Sequence, residues 1–159
     1  MALFRAVAWV LRLVFYCKTK RKGPLTASEL DEAQRVLVRR VQRGAFAREI
    51  DGLSRGRALG VSSKIRALSP YLDSEGLLRV GGRTGQHPIL LPYDHDVAVI
   101  ICRYYHCIAH SGAEWCISLV REKFWILKCR RIMRQVIRNC VTCKRSFGKP
   151  AYQVVADLP

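Results

Sequence analysis

The sequence HCIAHSGAEWCISLVREKFWILKCRRIMRQVIRNCVTC, residues 106–143, has two histidines at its start and two cysteines at its end. His106 and His110 are four positions apart, twenty-nine residues follow, and Cys140 and Cys143 form a Cys-x2-Cys pair. Residues four apart lie on one face of a helix, so both imidazoles can reach one point. Two nitrogens and two thiolates suit the tetrahedral coordination of Zn2+. We therefore predict one zinc site formed by these four residues.

Four protein ligands close the coordination shell and leave no position for an activated water, so the predicted zinc is structural and not catalytic. Cys107 and Cys116 are rival ligands. Cys107 points about 100° away from His106 on a helix, and Cys116 falls within an amphipathic pattern, so packing is the favoured role for both. His87 precedes a proline in a loop and His95 opens a helix, and neither is expected to have a functional role.

Composition narrows the class of partner. The chain has 159 residues, a formal net charge of +16 and seven cysteines. The charge indicates an anionic partner, with nucleic acid first and an acidic membrane surface second. An odd number of cysteines whose clearest pair is a metal motif indicates a reducing, intracellular compartment without a disulfide framework.

Residues 1–24 are predicted to be an apolar helix followed by a basic linker. The segment MALFRAVAWVLRLVFYC is interrupted by Arg5 and Arg12, and it is too short and too charged to span a bilayer comfortably. A signal peptide and a mitochondrial presequence are alternatives. The favoured interpretation is a helix whose apolar sides pack on another protein surface, such as a domain absent from this chain. The run KTKRK at 18–22 is read as a solvated linker.

Residues 25–83 are predicted to be a helical linker region with a β-hairpin. Thr26 and Glu29 have capping-box spacing, so a helix should start there and end near Gly44. Its apolar face is expected to contain Leu30, Ala33, Leu37 and Val41, and its arginines Arg35, Arg39 and Arg43 are expected on a solvated face. Phe46 and Ile50 should anchor a short turn, and residues 51–63 should form a loop. Leu72 and residues 77–80 flank a turn ending in Gly76, which indicates a hairpin.

Residues 84–150 are predicted to be a small helical domain fastened by zinc. Residues 89–91 should form a short strand, and a helix capped by Asp94 or Asp96 should run to about Cys107. A second helix is expected over 114–124 with Trp115 and Leu119 inward. Residues 124–126 should form an aromatic hinge in the core beside the metal. A third helix over 129–139 should bury Ile132, Val136 and Met133, and residues 151–159 form a tail.

Basic residues are concentrated at the end of this domain. Between residues 120 and 149 there are ten Lys or Arg and one acid, whereas residues 51–119 have seven basic and six acidic residues. A row of guanidinium groups on a helix can contact successive phosphates without reading bases. The predicted nucleic-acid-binding residues are Arg130, Arg131, Arg134, Arg138, Lys144, Arg145 and Lys149.

The ligand pattern resembles the HHCC (H2C2) zinc-binding domain of retroviral and retrotransposon integrases. The stretches PLTASELDEAQRVLVRRVQRGAF (24–46), LSPYLDSEGLLRVGGR (68–83), HPILLP (87–92), the region around Trp125 and the final DLP (157–159) together resemble the linker and integrase zinc module of BEL/Pao retrotransposon polyproteins. The resemblance covers nearly the whole chain from about Leu25.

The resemblance implies a mainly α module that binds element-end DNA and supports integrase multimers while a separate core cuts and joins. The DDE core would follow residue 159, and reverse transcriptase and RNase H would precede residue 1, so the chain looks like a polyprotein fragment or a domesticated copy. The expected partners are DNA and a second copy or the parent integrase, with no small-molecule substrate and with a membrane unlikely. Nuclear residence is implied by the resemblance. Catalysis is not expected, because no carboxylate cluster has suitable spacing.

Three alternatives stay open. A zinc-stabilised protein-interaction adaptor would have no role in DNA binding. A zinc enzyme would need a water in place of one ligand. A membrane-surface peptide would use residues 1–22.

Overall fold

The computed structural model describes residues 2–19, 23–82 and 87–147. Within these ranges the fold is mostly helical with a small four-stranded sheet, as the sequence predicts. The helices are α1 (Ala2–Thr19), α2 (Ala27–Ala45), α3 (Ala47–Ser54), α4 (Asp96–Ala109), α5 (Ala113–Lys123), α6 (Cys129–Asn139) and α7 (Val141–Phe147). The strands are β1 (Tyr71–Leu72), β2 (Leu78–Arg79), β3 (Ile89–Leu91) and β4 (Phe124–Ile126), and a short 3-10 helix spans Arg66–Leu68.

Helix α2 begins with the capping box that the sequence predicts. The Thr26 side chain accepts the backbone N–H of Glu29, and the Glu29 side chain accepts the backbone N–H of Thr26. Its buried face is rotated from the predicted one, because Gln34, Val38 and Gln42 are buried beside Ala33 and Val41, while Leu30 and Leu37 are only partly buried. The helix ends at Ala45, next to the predicted end at Gly44.

Helix α1 packs against α2, so the expected partner of the apolar N-terminal helix lies within this chain. Phe4 and Ala8 are buried, and Phe4 joins Val38 and Val41 of α2 in the main hydrophobic core. Arg12 fixes the pairing of the two helices through its Nε, which donates to Glu29 Oε1 at 2.8 Å, and through bonds to the backbone carbonyls of Gly23 and Pro24. None of the described helices combines the length and hydrophobicity that crossing a membrane requires.

The sheet has the strand order β1-β2-β3-β4. Strands β1 and β2 form the predicted antiparallel hairpin, with Tyr71 opposite Arg79. Its turn needs a positive φ at Gly76 (71°), which glycine adopts without a Cβ clash. The predicted strand at 89–91 is also confirmed as β3, which pairs antiparallel with β2 and parallel with β4.

A buried glutamine of α2 connects that helix to the sheet. The Gln42 amide donates to the carbonyls of Leu78 at 2.8 Å and Leu90 at 2.7 Å, and its oxygen accepts the N–H of Leu78 at 2.9 Å. This single side chain satisfies three backbone groups where β2 and β3 meet. Because buried backbone groups without partners are costly, Gln42 stabilises this part of the sheet.

Several local predictions are wrong. Residues 47–54 form a helix where the sequence predicts a short turn and the start of a loop, because Ile50 and Leu53 pack on a second apolar cluster that includes Phe46 and Ile65. Residues 124–126 form a strand and not a hinge, since pairing with β3 satisfies their backbone, while Phe124 and Ile126 lie in the core as predicted.

The helices of the second half also differ from the predictions at their ends and faces. His95, and neither Asp94 nor Asp96, caps α4, because its Nδ1 accepts the N–H of Val97 at 3.2 Å. Helix α4 continues past Cys107 to Ala109. Trp115 is 58% exposed and Leu119 half-buried, while Cys116 and Ile117 face inward in α5.

The core of the second half is formed where helices α4, α5 and α6 meet. Helix α6 has the predicted bounds and buries Ile132, Met133 and Val136 as expected. These residues join Val97, Ala98 and Ile101 of α4 and Cys116, Ile117 and Val120 of α5 in the main cluster. This packing places the end of α4 beside the end of α6.

Candidate metal centre

Four side chains converge where α4 ends and α7 begins. His106 and His110 come from α4 and its C-cap, Cys140 caps α6, and Cys143 lies in α7. One ligand atom from each residue lies within 4.8 Å of the ligand atoms of the other three. The ends of α4 and α6 and the first turn of α7 therefore bring all four predicted ligands together.

The distances between these atoms fit a tetrahedral zinc ion. Cys143 Sγ is 3.3 Å from His106 Nε2 and 3.8 Å from His110 Nδ1, and Cys140 Sγ is 3.4 Å from His110 Nδ1. Zn–N bonds of about 2.05 Å and Zn–S bonds of about 2.3 Å at tetrahedral angles separate nitrogen from sulfur by about 3.6 Å. The donor set and its spacing thus fit Zn2+, with His106 binding through Nε2 and His110 through Nδ1.

The two histidines occupy different backbone conformations. His106 lies in the last turn of α4 and is 1% exposed. His110 caps the helix in the left-handed conformation, with φ 46° and ψ 32°, and its N–H donates to the His106 carbonyl at 2.7 Å. A residue with a Cβ adopts this conformation at some energetic cost. At His110 it ends α4 at the point where the second imidazole meets the two thiols.

Burial and hydrogen bonding favour the forms of the side chains that bind metal. Burial lowers the pKa of His106, and the neighbouring His110 lowers it further, so the imidazole is held neutral. A hydrogen bond from the backbone of Cys143 lowers the pKa of the Cys140 thiol. Burial raises the pKa of the Cys143 thiol, and its proximity to Cys140 adds to this, so Cys140 is the first of the pair to ionise.

The rival ligands lie outside the group of four. Cys107 is exposed. Cys116 is buried, and its sulfur faces the other ring nitrogen of His106, Nδ1, at 3.9 Å. His95 caps α4, and the His87 ring packs edge-on against Tyr71 with Nδ1 3.3 Å from the Val80 carbonyl oxygen. Because its sulfur faces His106 Nδ1, Cys116 is placed to orient the His106 ring, as residues that contact the other ring nitrogen of a metal-binding histidine do.

The predicted nucleic-acid-binding residues separate into two groups. Arg130 donates to Glu114 at 2.8 Å. The remaining described candidates are exposed and form no ion pair within the described ranges: Arg131, Arg134, Arg138, Lys144 and Arg145. Lys149 and the tail at 151–159 lie outside the described residues.

Sequence reasoning did not predict α7 or the surroundings of Trp125. Trp125 is half-buried against the second apolar cluster, and the Arg121 guanidinium lies 5.0 Å from its ring centre. Lys128 lies 4.1 Å from the ring centre of Tyr93. Arg121 and Lys123 precede the aromatic pair Phe124 and Trp125 in the sequence, which was the available signal for the Arg121–Trp125 contact, whereas Tyr93 and Lys128 are too far apart in the sequence for a local signal.

Residues 94–147 match the sequence model of the integrase zinc binding domain. No curated protein and no solved structure matches the chain. The matched segment runs from just before α4 to the end of α7 and contains all four converging side chains. Residues 94–147 are therefore similar to the integrase zinc binding domain, and within them His106, His110, Cys140 and Cys143 are positioned to hold one metal ion.

Proposed function

We propose that this chain is a non-catalytic, zinc-stabilised nucleic-acid-binding module of a retrotransposon integrase of the BEL/Pao type. It binds the DNA of element ends through phosphates and contributes to multimer assembly, while cutting and joining belong to a separate core. The observation that carries the proposal is a row of exposed arginines on α6 that form no ion pair with the residues the structure describes; this helix leads directly into the metal centre.

The arginine row follows from the two-sided pattern of α6. One side of the helix buries Cys129, Ile132, Met133 and Val136. At about 100° per residue, Arg131, Arg134 and Arg138 fall within about 60° of one another on the opposite side. Lys144 and Arg145 of α7 continue the positive charge beyond the metal ligands. Exposed guanidinium groups on one ridge match the repeating phosphates of a nucleic acid.

The metal gives this surface a fixed shape. Cys140 and Cys143 bracket the short join between α6 and α7. Both thiols would bind an ion that is also held by His106 and His110 of α4, so a bound zinc would fix the direction in which α7 leaves α6. A phosphate-binding surface held in one geometry loses less conformational freedom on binding than a flexible basic tail does.

The absence of catalysis is part of the proposal and rests on the ligand set. Four protein side chains fill a tetrahedral zinc shell, so no site is left for a water to be activated. Of the acids near α5 and α6, Glu114 is paired with Arg130. The proposal assigns the metal a structural role only.

The experiment is a salt titration of binding to a 25-base-pair duplex, measured by fluorescence anisotropy with zinc-loaded protein. The variant Arg131→Gln/Arg134→Gln/Arg138→Gln should reduce the slope of log K against log salt by about 0.9 for each lost phosphate contact. The matched control, Arg48→Gln/Arg57→Gln/Lys64→Gln, removes three exposed basic residues elsewhere and should leave the slope near that of the wild type. Equal losses in the two variants would mean that the chain binds DNA only as a polycation, which would contradict the proposal.

A protein-interaction adaptor is the second candidate, favoured by apolar side chains at the surface of the metal-binding half. Ile108 of α4, Trp115 of α5 and Val141 of α7 are 59%, 58% and 61% exposed. Under this alternative the chain stays oligomeric when sized across the same salt range, and its DNA affinity has a shallow salt dependence. Replacing Ile108 and Val141 by serine would then abolish the oligomer without changing zinc content.

A further inference from the structure

The outer face of α1 has no role in the zinc centre or in the proposed DNA surface. Trp9, Val10 and Leu13 are 50%, 59% and 71% exposed. At about 100° per residue these three side chains lie within about 100° of one another around the helix axis. They therefore form one continuous apolar stripe, which we call the α1 stripe.

The contacts of α1 with the rest of the chain turn this stripe outward. Phe4 and Ala8 lie on the opposite side of the helix and are buried in the junction with α2. Arg12 fixes the rotation of α1, because it bonds both carboxylate oxygens of Glu29 and also two backbone carbonyls. The α1 stripe cannot turn inward without breaking this network.

The sequence of α1 and its flanks carries only positive charge up to residue 28. Residues 1–28 contain six Lys or Arg and no acid, and Arg12 pairs with Glu29. Arg5 is exposed and lies about 40° from Trp9 around the helix. The other four basic residues follow within positions 18–22 of the sequence. An apolar stripe with basic flanks and a tryptophan is the pattern of helices that lie in a membrane interface.

We propose that α1 binds an anionic membrane surface, with Trp9, Val10 and Leu13 among the upper acyl chains and the basic residues on lipid phosphates. The charge decides between lipid and a second copy of this chain as the occupant of the stripe. Pairing two α1 stripes would bring two sets of basic residues together, whereas an anionic lipid surface neutralises them. From the sequence, no membrane partner is expected. We propose one here because the packing of α1 on α2 leaves the α1 stripe exposed instead of burying it.

The test uses the full-length, zinc-loaded chain and large unilamellar vesicles. Flotation compares vesicles of phosphatidylcholine alone with vesicles containing about one-third phosphatidylserine, and sizing without lipid reports self-association. The variant Trp9→Ser/Leu13→Ser removes the stripe from exposed positions, so its circular dichroism and zinc content should match the wild type. The control Val61→Ser removes an apolar side chain that is 87% exposed elsewhere.

The proposal predicts that the wild type and the control float with the phosphatidylserine vesicles and that the stripe variant partitions at least tenfold less. Brominated acyl chains should quench tryptophan fluorescence in the Trp115→Phe variant, and this quenching should be lost when Trp9→Phe is added. The α6 variant Arg131→Gln/Arg134→Gln/Arg138→Gln should still float, which separates this proposal from DNA binding.

Three results would overturn it. One is equal flotation of the stripe variant and the wild type. Another is loss of flotation in the α6 variant alone. The third is self-association that disappears in the stripe variant, with no wild-type flotation on either vesicle, which would assign the stripe to a second copy of the chain.

Discussion

Two junctions hold this protein together, and they do so by different chemistry. At the metal centre, two imidazoles and two thiols meet at the ends of α4 and α6 and can be joined by one ion. At the second junction, Gln42 of α2 bonds three backbone groups of β2 and β3. The first turn of α2 is also bound to α1, because Arg12 donates to Glu29.

The difference between the junctions lies in how their energy is distributed. Coordination concentrates a large free energy in four residues, whose removal is felt at once throughout the domain. The hydrogen-bonded junction divides its energy among several modest contacts, each worth about 1 kcal/mol net but more if a buried group is left unpaired. Substitutions at the two junctions should therefore have effects of different size.

Removal of zinc should have the largest effect. Treatment of the chain with a strong chelator should destabilise the α4–α7 region by on the order of 10 kcal/mol, because structural zinc contributes that much to the folding of small modules. Amide hydrogen exchange should show loss of protection in α4 and α6, with a smaller change in α2. The exposed Cys107→Ser variant is the control and should keep its zinc and its protection. Unchanged exchange in α4 after complete removal of zinc would contradict this ranking.

Replacement of Gln42 should have the next largest effect. Gln42→Leu preserves the volume of the side chain and leaves the buried Leu78 N–H and the carbonyls of Leu78 and Leu90 without this partner. At about 1–3 kcal/mol for each unpaired group, a loss of about 3 kcal/mol in the free energy of unfolding is expected in urea denaturation. Gln34→Leu is the matched control, since Gln34 is buried on the same helix but does not bond the sheet. Equal losses in the two variants would show that Gln42 acts only by packing.

Loss of Arg12 should have a smaller effect, confined to α1. Arg12→Gln removes the bonds to Glu29 and to the Gly23 and Pro24 carbonyls but retains the α2 capping box. Proteolysis under native conditions should then cleave α1 faster while zinc content stays constant. Arg35→Gln, which breaks an exposed pair with Glu32, should leave the cleavage rate unchanged. A wild-type cleavage rate in Arg12→Gln would mean that packing of Phe4 and Ala8 alone docks the helix.

The pH dependence of the same contact should be the smallest effect. Two hydrogen bonds, one from the Arg12 side chain and one from the backbone N–H of Thr26, lower the pKa of Glu29 from 4.5 to about 2. Because the folded pKa lies below the ordinary one, the contact stabilises the protein fully above about pH 4.5, and this stabilisation is lost as the pH falls toward 2.

Thermal unfolding at stepped pH should therefore show a difference between the wild type and Glu29→Gln that is constant near neutrality and shrinks below pH 4.5. Comparison with the variant at each pH cancels the effect of acid on the metal ligands. A difference that grows on acidification would contradict the assigned sign.

The parts that the sequence predicted are those governed by local rules. Thr26 and Glu29 have capping-box spacing, the turn before Leu77 ends in glycine, and the zinc ligands have a spacing that few other functions require. Each of these patterns carries its physical reason within a few residues, or within one pair of helices, so a single sequence suffices to find it.

The errors arise where distant residues decide the outcome. Phe124 to Ile126 become a strand because β3 is available thirty-five positions earlier to pair with them, in register Ile89 to Phe124. His95 replaces two aspartates as the cap of α4 through its ring nitrogen. Nothing near Gln42 in the sequence distinguishes it from Gln34, since its partners are thirty-six and forty-eight positions away. Such choices depend on tertiary contacts that override local propensity.

Native mass spectrometry of the full chain tests the central claim most directly. The wild type should carry one zinc ion, Cys143→Ser should lose it, and Cys116→Ser should keep it, because Cys116 faces His106 Nδ1 and not the ligand atom Nε2. Cobalt substitution of the wild type should give the absorption of a tetrahedral site with two thiolates. A wild type without metal, or zinc lost from Cys116→Ser and retained by Cys143→Ser, would contradict the assignment of His106, His110, Cys140 and Cys143 as the ligands.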